Sequence, residues 1–313
     1  MPIGVALVAA LGIGGGLDLV HAYQRSDDDK KPAAAKAAVK KNRAEPRYVV
    51  GVRLNGTALV VRDVRTGRDV GLPVAAPAGR RFQQVAASGG TYVVASSDTR
   101  QVTFQRLRLD KNGQPKDLTP IPNVTVPGTS TAWSDLAVGP KGDRIAYVTY
   151  RGKGSRVDVI SSSTSERKVW TARMPARISG LSWAGDSLAF VWSPLRTKSR
   201  QIRVLDTRAS SGDLKISRPV FKLPPGTGPA VMSRDGRTIV AGVARGSQIS
   251  LQAYSLDTGR PTRVLWAKRA GGALARLDHD TTGGHLLASA SDGNLYAAGV
   301  QPVPAEDLRD VTW

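Results

Sequence analysis

Apolar and polar positions along this chain recur in a line of fixed shape: a short apolar run, a tight Gly/Asp turn and a second apolar run. Leu136-Ala137-Val138 leads through Gly142-Asp143 into Ile145-Ala146-Tyr147-Val148. Leu181-Ser182-Trp183 leads through Gly185-Asp186 into Leu188-Ala189-Phe190-Val191-Trp192, and Ala230-Val231-Met232 leads through Asp235-Gly236 into Ile239-Val240-Ala241. Aspartate beside glycine supplies side-chain bonds to the backbone and left-handed torsions at low steric cost, so each copy predicts a β-hairpin. From Arg47 onward, runs of about five to eight apolar and β-branched residues alternate with Gly, Pro, Asp and Ser clusters. No long segment follows the helical period.

Second strands of successive units begin near Tyr48, Thr91, Arg144, Ser187, Thr238 and His285, about 43 to 53 residues apart. Third strands follow at 58–61, 157–160, 202–205 and 251–254. Six units across 47–313 average about 45 residues, enough for four strands each. The expected fold class is therefore all-β: a six-bladed β-propeller of four-stranded antiparallel blades. The first unit begins directly on its second strand, which leaves the ring one inner strand short. An open edge must be filled, and two segments are candidates: 307–313, or 43–48 pairing onto the last blade.

These lines resemble the repeat of TolB-like and WD-repeat-like bacterial β-propellers, a Ser-Pro-Asp-Gly turn followed by an apolar strand. The resemblance covers nearly all of the chain after Arg47, with degenerate copies at Ser88-Gly89-Gly90-Thr91 and Thr282-Gly283-Gly284-His285. The Gly-His and Trp-Asp pairs of eukaryotic WD repeats are missing. The resemblance implies a scaffold for protein or ligand binding, often extracytoplasmic in bacteria, and implies no chemistry.

The first 46 residues read differently. Residues 3–17 form an uncharged apolar stretch, short for a membrane-spanning helix but suited to the core of a signal peptide. Val20-His21-Ala22 offers a cleavage site. Residues 1–22 are thus expected to be a signal peptide or membrane anchor. No Lys or Arg precedes the apolar run, which points to a longer natural N-terminus, and the basic residues that follow it favour the cytoplasm under the positive-inside rule. Residues 23–46, rich in Ala, Lys and Asp, cannot bury enough surface to offset their ordering entropy and are expected to be a disordered linker. Gly12, Gly14, Gly15 and Gly16 lack the strand, helix and downstream acid of a dinucleotide loop.

Composition narrows the chemistry. The chain has 313 residues, no cysteine and a formal net charge of +20, which favours acidic partners. Without cysteine there is no disulfide, thiolate metal site or thiol nucleophile. Only three histidines are present: His21, His279 and His285. His279 lies between Asp278 and Asp280, but neighbours on a strand point to opposite faces, so turn chemistry is the better account of these aspartates than a metal cluster. Asp143, Asp186 and Asp235 recur once per unit, as a structural turn requires and a single catalytic site does not. No Ser-His-acid arrangement has local support, and Pro224-Pro225-Gly226-Thr227-Gly228 lacks the Gly-Lys-Ser/Thr of a phosphate loop. No catalytic residue, metal or cofactor is expected.

The repeat also assigns loops to faces. Loops joining second to third strands share a face with the blade-to-blade connections. That face collects Arg100, Arg151, Lys153, Arg156, Arg196, Lys198, Arg200 and Arg245, with further Arg and Lys in the connections and few acids. The opposite face is roughly balanced. Trp192 beside Arg196 and Arg200 reads as a candidate hot spot. These nine residues form the expected partner site of a non-catalytic, monomeric propeller, exported or membrane-tethered, that binds a protein or anionic envelope component. The alternatives are a nucleic-acid-associated basic propeller, which would show a steep salt dependence, and a propeller enzyme of the lactonase or dehydrogenase type.

Overall fold

The computed structural model describes residues 46–313 apart from 198, 281 and 282. The expected signal or anchor segment (1–22) and all of the expected linker except Pro46 lie outside the described residues. What is described is a six-bladed propeller of antiparallel blades. Blades 2 to 6 open on the inner strands Arg81–Ser88, Leu136–Val138, Ala176–Ala184, Thr227–Met232 and Leu274–His279. Each is followed outward by strands joined through hairpins.

The second strand of each blade carries the strongest apolar run for a physical reason: it is buried on both faces, between the two neighbouring blades. In Arg144–Arg151 five consecutive residues, Ile145 to Thr149, are buried, and in Ser187–Pro194 so are Leu188 to Trp192. Outer strands face solvent. Pro261–Arg269 of blade 5 shows no buried residue, with Leu265 and Trp266 only partly covered against the core.

The ring closes with its C-terminus. Leu308–Thr312 pairs antiparallel with Tyr48–Arg53 and supplies the missing inner strand of blade 1, while Leu308, Val311 and Trp313 are buried in the core between blades 6 and 1. Of the two candidate closures, 307–313 is the one used. Arg62 fastens the junction by donating to Asp69 and Asp307 and to the carbonyl of Pro304. Arg53 also pairs with Asp307. Blade 3 gains a strand beyond the expected four, because Gly212–Asp213 from the blade 4 loop adds in parallel to Arg167–Ala172.

Inner strands are tied to one another by side chains. Asp310 of blade 1 accepts from the Val85 amide of blade 2 at 2.7 Å. Asp135, just before the inner strand of blade 3, accepts from Leu181 of blade 4 at 3.0 Å, and Ser182 accepts from Met232 of blade 5 at 3.0 Å. Such bonds satisfy amides that face the channel, where no further strand is available. Gly180 permits this close approach: it has φ +61°, and a Cβ there would stand 2.2 Å from the Ala230 carbonyl oxygen.

Candidate binding face and channel mouth

Inner strands start on the face that carries the blade connections, termed here the connection face, and end on the hairpin face. On the connection face the inner strand of blade 3 is only three residues long. The preceding segment, 128–135, therefore turns in over the channel. It is pinned at Ser130, whose hydroxyl lies 2.7 Å from the Tyr147 hydroxyl, and by a reciprocal pair of bonds between Thr131 and Ser134. Asp135 then reaches across to Arg276 of blade 6 at 2.9 Å. Arg276 also pairs with Asp310 of blade 1, and Asp278 accepts from the Thr312 hydroxyl.

One guanidinium thus pairs with carboxyls from two other blades, and its charge also favours the ionised form of Asp278 on its own strand. Desolvation pushes Asp310 up to about 7, the charges of Asp135 and Asp278 adding to it, although Arg276 and the Val85 amide oppose the rise. Burial likewise raises Asp278, and Arg276 stays charged because its acidic neighbours outweigh its own desolvation.

Two clefts open above this floor. One, of about 590 Å³, runs between blades 6 and 1, where Asp292, Glu306 and Asp310 face Arg276 and Arg309. The other, of about 500 Å³, lies over blades 3 to 5 and 6 and is lined by Trp133, Asp135, Arg177, Arg200 and Arg276 with Ser134, Ser179 and Ser193. Both volumes suit a ligand or peptide side chains. At the hairpin end a small cleft of about 50 Å³ is bounded by Trp183, Arg234, Asp278 and His279. Burial and Arg234 pull the His279 imidazole down to about 4. The turn account of the Asp278-His279-Asp280 run holds for Asp280, which accepts from the Gly284 and His285 amides. It fails for Asp278, a channel residue. Among the described residues no group of His, Asp or Glu is arranged to hold a metal ion.

The residues expected to form the partner site separate into classes. Arg151, Lys153, Arg196 and Arg245 are exposed on the connection face. Arg100 is exposed too, beside Asp98, which also holds Arg80 at 2.7 Å. Two others are engaged internally: Arg156 makes a two-pronged pair with buried Asp158 at 2.8 and 2.6 Å, and Arg200 donates to the carbonyls of Thr227 and Gly228 at 2.7 Å. Lys198 lies outside the described residues. Trp192 is a correction. Only 8% exposed, it belongs to the core shared by blades 3 and 4, and Arg203, at 5.8 Å, is the guanidinium over its ring. The exposed aromatic on this face is instead Trp133, with Arg177 at 4.1 Å over its ring. A lone tryptophan inside a Ser/Thr-rich connection was the sequence signal for it.

No family profile matches the sequence, and no curated protein does. Solved structures do. TolB from Acinetobacter baumannii superposes with a TM-score of 0.55 at 14% identity over 84% of this chain and 65% of that one. The fold is that of a TolB-like β-propeller. A functionally unknown protein from Desulfotomaculum acetoxidans gives a TM-score of 0.53 at 13% identity, over 85% of this chain and 98% of that one. The Dos1 propeller gives 0.46 at 12% identity, over 81% and 76%. At such identities the likeness concerns the propeller alone, and this chain spans just under two thirds of the TolB chain's length.

Proposed function

We propose that this propeller is a non-catalytic binding scaffold whose connection face receives an acidic protein segment. One observation supports this most directly. The segments that build the face over blades 3 and 4 (128–135, 149–156, 172–178, 192–201 and 223–228) contain eight Lys or Arg and a single acid, Asp135. That acid is already paired with Arg276. Arg151, Lys153, Arg177 and Arg196 are exposed there with no carboxylate partner among the described residues. Uncompensated cations on one face steer and hold an anionic partner, and the attraction falls with ionic strength. Action outside the cytoplasm is part of this reading, supported by the apolar segment at 3–17.

The test is titration of fluorescent poly-glutamate with wild type and with a variant carrying Arg151→Glu, Lys153→Glu, Arg196→Glu and Arg245→Glu. Salt-sensitive binding to wild type, lost in the variant at an unchanged melting temperature, is the expected result. Equal binding by both proteins overturns the reading. Tighter binding of single-stranded DNA than of poly-glutamate would move the assignment to a nucleic-acid partner.

A further inference from the structure

Three of the large apolar side chains exposed on this propeller share one sector: Trp133 at 48%, Met174 at 62% and Leu195 at 54%. All stand on the connection face where blades 3 and 4 meet. The backbone joins them, since Leu195 donates to the Pro175 carbonyl at 3.1 Å and Arg177 pairs with Ser193 in the adjoining ladder. Arg177 in turn lies over Trp133. Tyr150 meets the indole edge-on with centroids 6.0 Å apart, and its own hydroxyl is fixed by the backbone of Ile178. The Trp133 ring is therefore held in place yet left half in water. A ring ordered before binding loses little rotamer freedom when a partner covers it.

Resting on the cationic-face reading, we infer that this patch is its specificity anchor: a seat for one bulky apolar side chain carried within an acidic, extended peptide. The apolar side chain lies against Trp133 and Leu195, and the flanking carboxylates meet Arg177 and Arg196. Charge complementarity selects the occupant, because the sector's one acid is turned inward to Arg276. Shape argues for a peptide over a bilayer. Trp133 and Arg177 line the rim of the cleft of about 500 Å³, and a concave rim receives a segment where a flat lipid surface would need a projecting one.

Two labelled poly-glutamate peptides, one with a central Leu and one with a central Ala, separate the anchor from the charge. Wild type is expected to prefer the Leu peptide by about tenfold, the effect of one buried hot-spot contact. Trp133→Ala should erase that preference while keeping weak, salt-sensitive binding of both peptides. Leu195→Ser, a milder change at an exposed site, should reduce it, and circular dichroism confirms that both variants fold. Equal binding of the two peptides by wild type overturns the anchor and leaves the cationic-face reading standing. A preference that survives in both variants also overturns the anchor. Failure of both peptides to bind removes the anchor and that reading together. Tighter, Trp133-dependent binding to vesicles of anionic lipid would replace the peptide with a membrane surface.

Discussion

The two ends of the channel are built from the same inner strands, yet they differ in almost every physical respect. At the connection end there are clefts of about 590 and 500 Å³, an exposed tryptophan and free cations. At the hairpin end a cleft of about 50 Å³ lies between Trp183, Arg234 and His279. Tight Gly/Asp hairpins between the first and second strands leave little chain to vary around that end of the channel, whereas the connections vary in length and in how far the following strand continues them. The short inner strand of blade 3 frees segment 128–135 to fold over the mouth, and its last residue, Asp135, builds the floor between the two ends. A repeated scaffold therefore places its individuality where the repeat is interrupted.

The comparison depends first on the ring being closed. Removing residues 308–313 takes away the inner strand of blade 1 and opens both ends at once. Val311 and Trp313 leave the core between blades 6 and 1, and the Asp310 bond to Val85 disappears. The expected outcome is loss of the cooperative thermal transition, since folded domains hold only about 5 to 15 kcal/mol in reserve. A truncated protein that melts cooperatively near the wild-type temperature would show that closure is not what holds the disc.

A smaller effect is expected from breaking the floor alone. Arg276→Met keeps an aliphatic stem but leaves Asp135, Asp278 and Asp310 facing one another without a cation. Stranding buried carboxyls by removing their partner costs about 3 kcal/mol or more, and the Arg276 side chain, 29% exposed toward the clefts, argues for the lower end. Protonation relieves that repulsion, so the deficit measured by urea denaturation should shrink as the pH falls. A deficit that does not change with pH would mean that Arg276 acts by packing and not by charge.

How far this arrangement was legible in the sequence follows from the range of the interactions. Six blades could be counted because each unit carries its own local signal, an apolar run doubly buried behind a Gly/Asp turn. Closure could not be chosen, because 307–313 and 43–48 are both short apolar-containing ends and the decision rests on Leu308, Val311 and Trp313 filling a distant core. The faces were legible as well, so the basic loops around Arg151 and Arg196 lie where the repeat puts them. Trp192 was misread for a specific reason. Adjacency to Arg196 in the chain does not place a strand residue on the surface, and its ring turns into the core, under Arg203 of the next strand. Asp135 and Arg276 stand 141 positions apart, and nothing local marks either as half of a pair.

The finest contrast between the floor and the hairpin end lies in their opposite responses to pH. Asp310 has its carboxyl raised to about 7 in the folded protein. Its contribution to stability is complete below the ordinary carboxylate value and is lost as pH rises through about 7. His279, pulled down to about 4, does the reverse: its contribution is present above the ordinary imidazole value of about 6.5 and is lost as pH falls toward about 4. Across that shared window the two slopes oppose each other, so the wild-type melting temperature should vary little. Single variants uncouple them. His279→Gln should leave a melting temperature that declines as pH rises from about 4.5 to about 7, driven by Asp310 with help from Asp278, which burial also raises. Asp310→Asn keeps an acceptor for the Val85 amide and should tilt the profile the other way, with stability growing toward about pH 6.5. Because the readout is the sign of the slope, a general loss of stability in either variant does not blur it. Parallel profiles in the two variants would show that floor and hairpin end do not titrate separately.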